Sequence, residues 1–588
     1  MASCSSSSSS SARPSKHISL LTGWPSTSLF PRRQLLQGAT GIIESEQKAG
    51  DALVYGPFQG YEPLRVRIAA WLSGIYREGE GHRQDKEKQE VKQDPISADR
   101  ICISNGASAN LQSVLIKFTG PAYTRAIWMV EPCYFLACPI FTDAGFAGKL
   151  RGVPEDDEGL DIDFLRDALA KLDAEAPCSA DDDDDDAARS RHHPRYPKLY
   201  RHVIYAVPTF ANPSGKTMSL RRRQELVRLA RKHDALVVTD DVYDVLRWPE
   251  APDVHVSELG PVPPRIVDVD GVLDGGPQDE WGNALSNGSF SKYVAPGLRT
   301  GWAEGTPALA LALSSVGATR SGGVPSHFSA AIIDEMMASG QLATHISDTL
   351  IPTYRARYVA MHAAIREHLA PLGFTTSTGT PCRAASADAE TGSPAAVVAG
   401  GYFVFVMAPR DLPVSVSELA ALALERQNLK VAYGDLMTVE GDPTSLERAR
   451  VGFGNGIRLC WAWHTAEEIV EGIQRLARLC RHSLAISGTA MGTILDEQAN
   501  YVLVARHRCP MKRSVPLTIA CPVYMYTLPQ QEIHPLLFPG EGCSRCQRGP
   551  SFVHIIVKVG AVRQQDINDG LVAPAYAQFM HDGLYLSK

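Results

Sequence analysis

Residues 203–243 read VIYAVPTFANPSGKTMSLRRRQELVRLARKHDALVVTDDVY, and this stretch decides the fold. It opens on an unbroken apolar run, 203–207, that stops at Pro208, as expected of a strand buried on both faces. Over 220–234, Leu226, Leu229 and Ala230 recur at helical spacing among arginines, which predicts an amphipathic helix. Residues 236–239, LVVT, are a second buried strand. Two such strands joined through a helix run parallel, because a tight hairpin joins only antiparallel neighbours.

The same pattern extends in both directions. Residues 100–104 and 127–130 read as further short buried strands, and 110–118 as a helix. The expected architecture is α/β: a three-layer α/β/α large domain with a mostly parallel sheet. Downstream, 326–369 is helical by pattern, 401–406 and 457–461 are strands, and 466–479 is a closing amphipathic helix. These elements predict a smaller α+β C-terminal domain. The expected division is a serine-rich tail (1–17), an N-terminal segment (18–50), a large domain (51–325) and a small one (326–482).

Composition narrows the function. The 588 residues carry a net charge of −7, so no global basic field invites nucleic acid. No apolar run approaches the ~20 residues that span a bilayer. The 12 cysteines are too sparse for a disulfide scaffold, which points to a reducing compartment. The only C-x-x-C, Cys543 to Cys546, lacks a second pair at zinc-site spacing, so no metal is expected. Residues 1–16 are a serine tract without the apolar core of a secretory signal. We expect a cytoplasmic protein, with mitochondrial import the lesser alternative. Residues 78–94, 173–198 (with the aspartate run 181–186) and 378–398 read as solvated insertions. Residues 483–588 show no sustained period; they are either a disordered extension or translated sequence outside the functional gene product.

Six blocks carry the chemistry, in this order. They are Tyr55-Gly56-Pro57 with Gly60, Ser104-Asn105-Gly106-Ala107-Ser108, Asn212-Pro213-Ser214-Gly215, Asp240-Asp241-Val242-Tyr243, Ser289-Phe290-Ser291-Lys292 leading to Arg299, and Asn455-Gly456-Ile457-Arg458-Leu459. A lysine alone in S-x-x-K is commonly a solvated loop residue. Lys292 stands among small hydroxyl residues with Arg299 close behind, as a Schiff-base lysine beside a phosphate group requires.

Together the blocks resemble the fold-type I pyridoxal-phosphate enzymes, specifically the class I/II aminotransferases of the aromatic, kynurenine and 2-aminoadipate branch. The resemblance spans about 18–479. It implies pyridoxal 5'-phosphate bound covalently to Lys292. It implies that Asp240 pairs with the ring nitrogen, and that Tyr243 and Asn212 contact the phenolic oxygen. Asp241 should point away, since neighbours on an extended backbone face opposite sides. The resemblance assigns the phosphate to Gly106, Ala107 and Ser108 at a helix N-terminus, with Ser289, Ser291 and Arg299. It stacks Tyr134 on the ring and gives the substrate carboxylate to Arg458, with Asn212 and Gly23 also touching substrate. Tyr55 would reach the neighbouring subunit's phosphate, which implies a homodimer with shared active sites.

The implied reaction is ping-pong transamination from an L-amino acid to a 2-oxo acid such as 2-oxoglutarate. Trp24 and Phe30 suggest an aromatic or long side chain on the donor. The alternatives are a C–S lyase or aminocyclopropane-carboxylate-synthase-like enzyme on the same scaffold, or a regulatory or non-catalytic relative.

Overall fold

The strands expected from the apolar runs form one sheet, and their alternation sets its two faces. In a computed structural model, residues 14–77, 94–175, 197–376 and 397–489 are described, apart from 252, 257, 258 and 260. The serine tract, the interiors of the three insertions and everything after 489, Cys543 and Cys546 included, lie outside the described residues.

Eight strands lie in the order Ile101–Ser104, Gly301–Glu304, Ala284–Ser289, Ala235–Asp240, His202–Ala206, Ala126–Glu131, Leu150–Asp156 and Gly159–Leu160. The run from Ala284–Ser289 to Leu150–Asp156 is parallel throughout. Gly301–Glu304 is antiparallel to both its neighbours, and Gly159–Leu160 closes the far edge as an antiparallel return.

Odd and even positions go to different helix layers. Val203, Tyr205, Leu236, Val238 and Leu285 pack with Leu111, Leu115 and Phe118 of the helix Ala107–Phe118 and with Leu309 and Leu313. Ile204, Val237 and Ala284 pack with Leu226, Val227 and Ala230 of the helix Leu220–Lys232 and with Leu165 and Val267. This is the three-layer arrangement, built by period-2 burial of strands and period-3.6 burial of helices. The helix Leu220–Lys232 starts where the Ser219 hydroxyl accepts from the Arg222 amide, and ends before Asp234, which takes a positive φ.

The second sheet is antiparallel, in the order Thr375–Thr376, Phe403–Met407, Gly456–Cys460 and Ala432–Tyr433. The helices Ile351–Ala364, Val416–Gln427 and Ala466–Thr489 accompany it. One face, with Val404, Val406, Ile457 and Leu459, joins the largest core. The other face places Phe405 and Ala432 against Leu21 and Phe135.

Several element bounds differ from the sequence expectation. The helix expected at 110–118 begins at Ala107, because Gly106 at φ +84° turns the chain directly into it. The helix Ile162–Glu175 runs into the stretch whose composition marks an insertion from 173. It continues because Asp173 accepts from Arg201 at 2.9 Å and contacts His233 at 2.7 Å. The closing helix, expected to stop at 479, runs Ala466–Thr489.

The layer account gives a stability contrast on one helix. Leu226 is fully buried and Leu220 is 48% exposed. Leu226→Ala should cost about 2–4 kcal/mol, seen as a lower urea midpoint, and Leu220→Ala less than about 1 kcal/mol. Equal losses would contradict the assignment of faces.

Candidate active site

Parallel strands present their C-terminal ends on one side, and a crevice there collects the loops that follow them. A cavity of about 450 Å³ lies at that edge. Asp240 reaches it from the end of one strand, and Ser289, Ser291 and Lys292 follow the next. Ala107 and Ser108 enter from a helix N-terminus, Tyr134 and Asn212 from loops, and Arg458 from the small sheet. Gly23, Trp24, Tyr243 and Arg299 complete the predicted set on its wall. Two predicted residues do not line it. Gly106 sits behind Arg299, and Tyr55 is 86% exposed elsewhere on the chain. Phe30 does not line it either.

Asp240 lies at the foot of the cavity. Its carboxylate accepts from the Tyr205 hydroxyl and from Asn287 Nδ2 at 2.6 Å. Burial pushes its pKa up to about 6, and the hydrogen bonds from Tyr205 and Asn287 oppose that rise. A cationic ring N–H in contact would favour the carboxylate further. Asp241 points into the opposite layer, where it accepts from Thr239 Oγ1 at 2.7 Å and Ser286 Oγ at 2.6 Å. The expected divergence of the two carboxylates is the one found.

Lys292 Nζ donates to the Gly23 carbonyl at 2.9 Å and lies 5.3 Å from the Tyr402 ring centre. Burial brings its pKa down to about 8; Arg458 also lowers it, whereas Cys460 and Asp240 raise it. An amine of that kind is neutral over a useful part of the physiological range, as a nucleophile and base requires.

The phosphate end fits an anion. Gly106 gives the helix Ala107–Phe118 no side-chain cap, so its first amides face outward with the helix dipole behind them. A Cβ at Gly106 would fall 2.6 Å from Arg299 Nη2, so glycine is required for the guanidinium to come this close. Arg299 Nη2 donates to the Asn105 carbonyl at 3.2 Å, and Ser289 Oγ to Ser291 Oγ at 2.9 Å.

Arg458 is only 5% exposed, and no carboxylate forms an ion pair with it among the described residues. Nη1 donates to Asn212 Oδ1 at 2.8 Å and Nη2 to the Leu21 carbonyl at 2.8 Å, while Nε has no partner. A buried guanidinium held only by neutral acceptors is a receptor for a carboxylate. The donor set therefore fits pyridoxal phosphate and an amino acid: a carboxylate for a ring cation, a cradle for a phosphate, a low-pKa amine and a carboxylate fork.

The structure adds residues that the motifs did not mark. Asn287 donates to Asp240 and to the Ala107 carbonyl at 3.0 Å, and accepts from Asn110 at 2.8 Å. It thereby joins the ring-nitrogen end to the phosphate end. Tyr205, two positions along the sheet from Asp240's register, faces the same side. Period-2 spacing on the flanking strands is the signal that could have found both. Leu21, Phe135, Leu136, Phe403 and Lys430 also line the cavity, and no local motif marks them.

Residues 32–476 match the family described as aminotransferase class I and II. The chain is similar to the uncharacterized protein YER152C of Saccharomyces cerevisiae, 31% identical over 478 residues, covering 79% of this chain and 97% of the relative. It is similar to aromatic-amino-acid aminotransferase 1 of Thermococcus litoralis, 27% identical over 79% of this chain and 88% of the relative. The crystal structure of a multiple substrate aminotransferase from Thermococcus profundus superposes with a TM-score of 0.57 at 24% identity, covering 80% of this chain and 93% of that one.

The electrostatics of Lys292 can be tested directly in the cofactor-free protein. Its rate of acylation by a small anhydride should titrate with a midpoint near 8 rather than near 10.5. Asp240→Asn should move that midpoint down and Arg458→Met should move it up, because the first removes an anion and the second a cation. An ordinary lysine midpoint, insensitive to either change, would contradict the site geometry.

Proposed function

The chain belongs to the class I and II aminotransferases, and on that premise we propose how its residues divide the work and which substrates they accept. It is a pyridoxal-phosphate-dependent aminotransferase, moving an amino group from an amino acid to a 2-oxo acid. When bound, pyridoxal phosphate supplies an electron sink for the pair left behind as the α-hydrogen departs as a proton.

In our reading Lys292 holds the cofactor covalently, and once freed its Nζ takes the proton from the substrate α-carbon. The lowered pKa of this amine supports that role. Asp240, fixed by Tyr205 and Asn287, holds a proton on the ring nitrogen. Arg299 and the amides after Gly106 bind the phosphate. Tyr243 and Asn212 orient the phenolic oxygen, and Tyr134 covers the ring. Arg458 grips the α-carboxylate, and the observation that carries the whole reading is its burial without an anionic partner in the same cavity as Lys292.

The donor class we propose is aromatic or long-chain. Leu21, Trp24, Phe135 and Leu136 give the cavity an apolar wall, and the similar Thermococcus litoralis protein is an aromatic-amino-acid aminotransferase. We further propose a cytoplasmic homodimer. Leu36, Ile43, Leu53, Val54 and Tyr55 are exposed along the N-terminal helices, an apolar set suited to burial against a second copy. Cys102, Cys133, Cys138, Cys460 and Cys480 are free thiols, which suits a reducing compartment.

Lys292→Ala should lower transamination by about 10³-fold or more, with wild-type rates in that variant contradicting the role. Among donors tested with 2-oxoglutarate, aromatic and long-chain amino acids should exceed alanine at least tenfold in kcat/KM. Release of pyruvate and ammonia without an acceptor would instead indicate a lyase. The shared site has its own test. Mixing Tyr55→Ala with Lys292→Ala subunits should restore activity at least tenfold over either alone, because one hybrid site is then intact. No restoration would place Tyr55 outside the partner's site.

A further inference from the structure

The charges on the cavity wall do not balance, and the excess has a definite position. Among the described residues, the lining carries Lys292, Arg299, Lys430 and Arg458 against a single acid, Asp240. In the reading above, Lys292 bonds the cofactor, Arg299 meets its phosphate and Arg458 meets the substrate α-carboxylate. Lys430 is left without an anion.

Its placement follows from strand register. Arg458 lies opposite Phe405 on one side and Ala432 on the other. Phe405 and Ala432 face Leu21 and Phe135, so the Arg458 side of the sheet faces the cavity wall. Lys430 is two residues before Ala432 and therefore shares that side, whereas Leu429 and Val431 turn to the main core. Two residues of strand plus one strand spacing put the Lys430 and Arg458 Cα atoms roughly 8 Å apart. The backbone at Lys430 is held, because Leu429–Lys430 pairs in parallel with Ile18–Ser19. Lys430 itself is exposed, and no ion pair involves it among the described residues.

We propose that Lys430 is the specificity residue for dicarboxylic substrates: its ammonium takes the distal carboxylate of a 2-oxo diacid or the matching amino acid while Arg458 takes the α-carboxylate. This rests on the aminotransferase reading of the same site. A short diacid then spans two cations on one sheet face. A side chain without the second charge lies instead against Leu21, Phe135 and Leu136, and the flexible lysine stem leaves it room. One cavity thereby accepts both partners of a transfer between an apolar donor and an acidic acceptor.

The test is calorimetric binding of glutarate and 3-phenylpropionate to the holoenzyme. These unreactive acids share one carboxylate and differ in whether a second is present. Lys430→Met should weaken glutarate at least tenfold relative to 3-phenylpropionate, and Lys430→Arg should keep the wild-type ratio within about threefold. The kcat/KM for 2-oxoglutarate should fall in parallel with glutarate affinity. An unchanged ratio in Lys430→Met, or equal weakening of both acids, overturns the assignment while wild-type transamination stands. A wild-type protein that transaminates no donor with any acceptor overturns the aminotransferase reading as well.

Discussion

Asp240 and Asp241 are neighbours that an extended backbone sends to opposite layers, and the site depends on that separation. One carboxylate enters the cavity with Tyr205 and Asn287 as donors. The other enters the helix layer with Thr239 and Ser286 as donors. Two carboxylates on one side at this distance would compete for one proton. Kept apart, each has its own donors, and Asp240 is free to serve a cation from the cavity. The bridge from Asp240 through Asn287 to Ala107 and Asn110 then ties that carboxylate to the helix N-terminus where the phosphate cradle begins. Strand spacing thus fixes both ends of a cofactor at once.

The N-terminal segment is the second constraint. Its carbonyls hold the two cations most central to the reaction, Leu21 accepting from Arg458 and Gly23 from Lys292. Hydrogen bonds to charged donors are worth roughly 1.5–3 kcal/mol each, so the segment orients both groups at modest cost to their later exchange with substrate. It is anchored on the small sheet by Ile18–Ser19 and by the Cys460 amide, which donates to the Leu20 carbonyl at 2.8 Å. A Cβ at Gly23 would come within 2.8 Å of the Phe403 ring, which explains the glycine.

The parts legible in sequence were those whose chemistry is local. The runs at 203–207 and 236–239 announce buried parallel strands because nothing polar interrupts them. Lys292, Asp240, Asn212 and Arg458 stand in recognisable order. The strand Ala284–Ser289 was not legible, since Ser286, Asn287 and Ser289 break its apolar run. They do so for functional reasons, facing the Asp241 donors, the Asp240 bridge and the cavity edge. Gly301–Glu304 is short, begins on glycine and runs against its neighbours, so no βαβ pattern marks it. Tyr205 and Lys430 are invisible for a different reason: each matters through register with a distant strand, which one sequence does not reveal.

The central claim is that Lys292 is the covalent anchor in this cavity. Borohydride reduction of the holoenzyme, followed by peptide mass spectrometry, tests it without reference to turnover. The account predicts a single phosphopyridoxyl adduct, on the peptide that contains Lys292. An adduct on any other lysine, or none on a protein that carries the cofactor's absorbance, would contradict it.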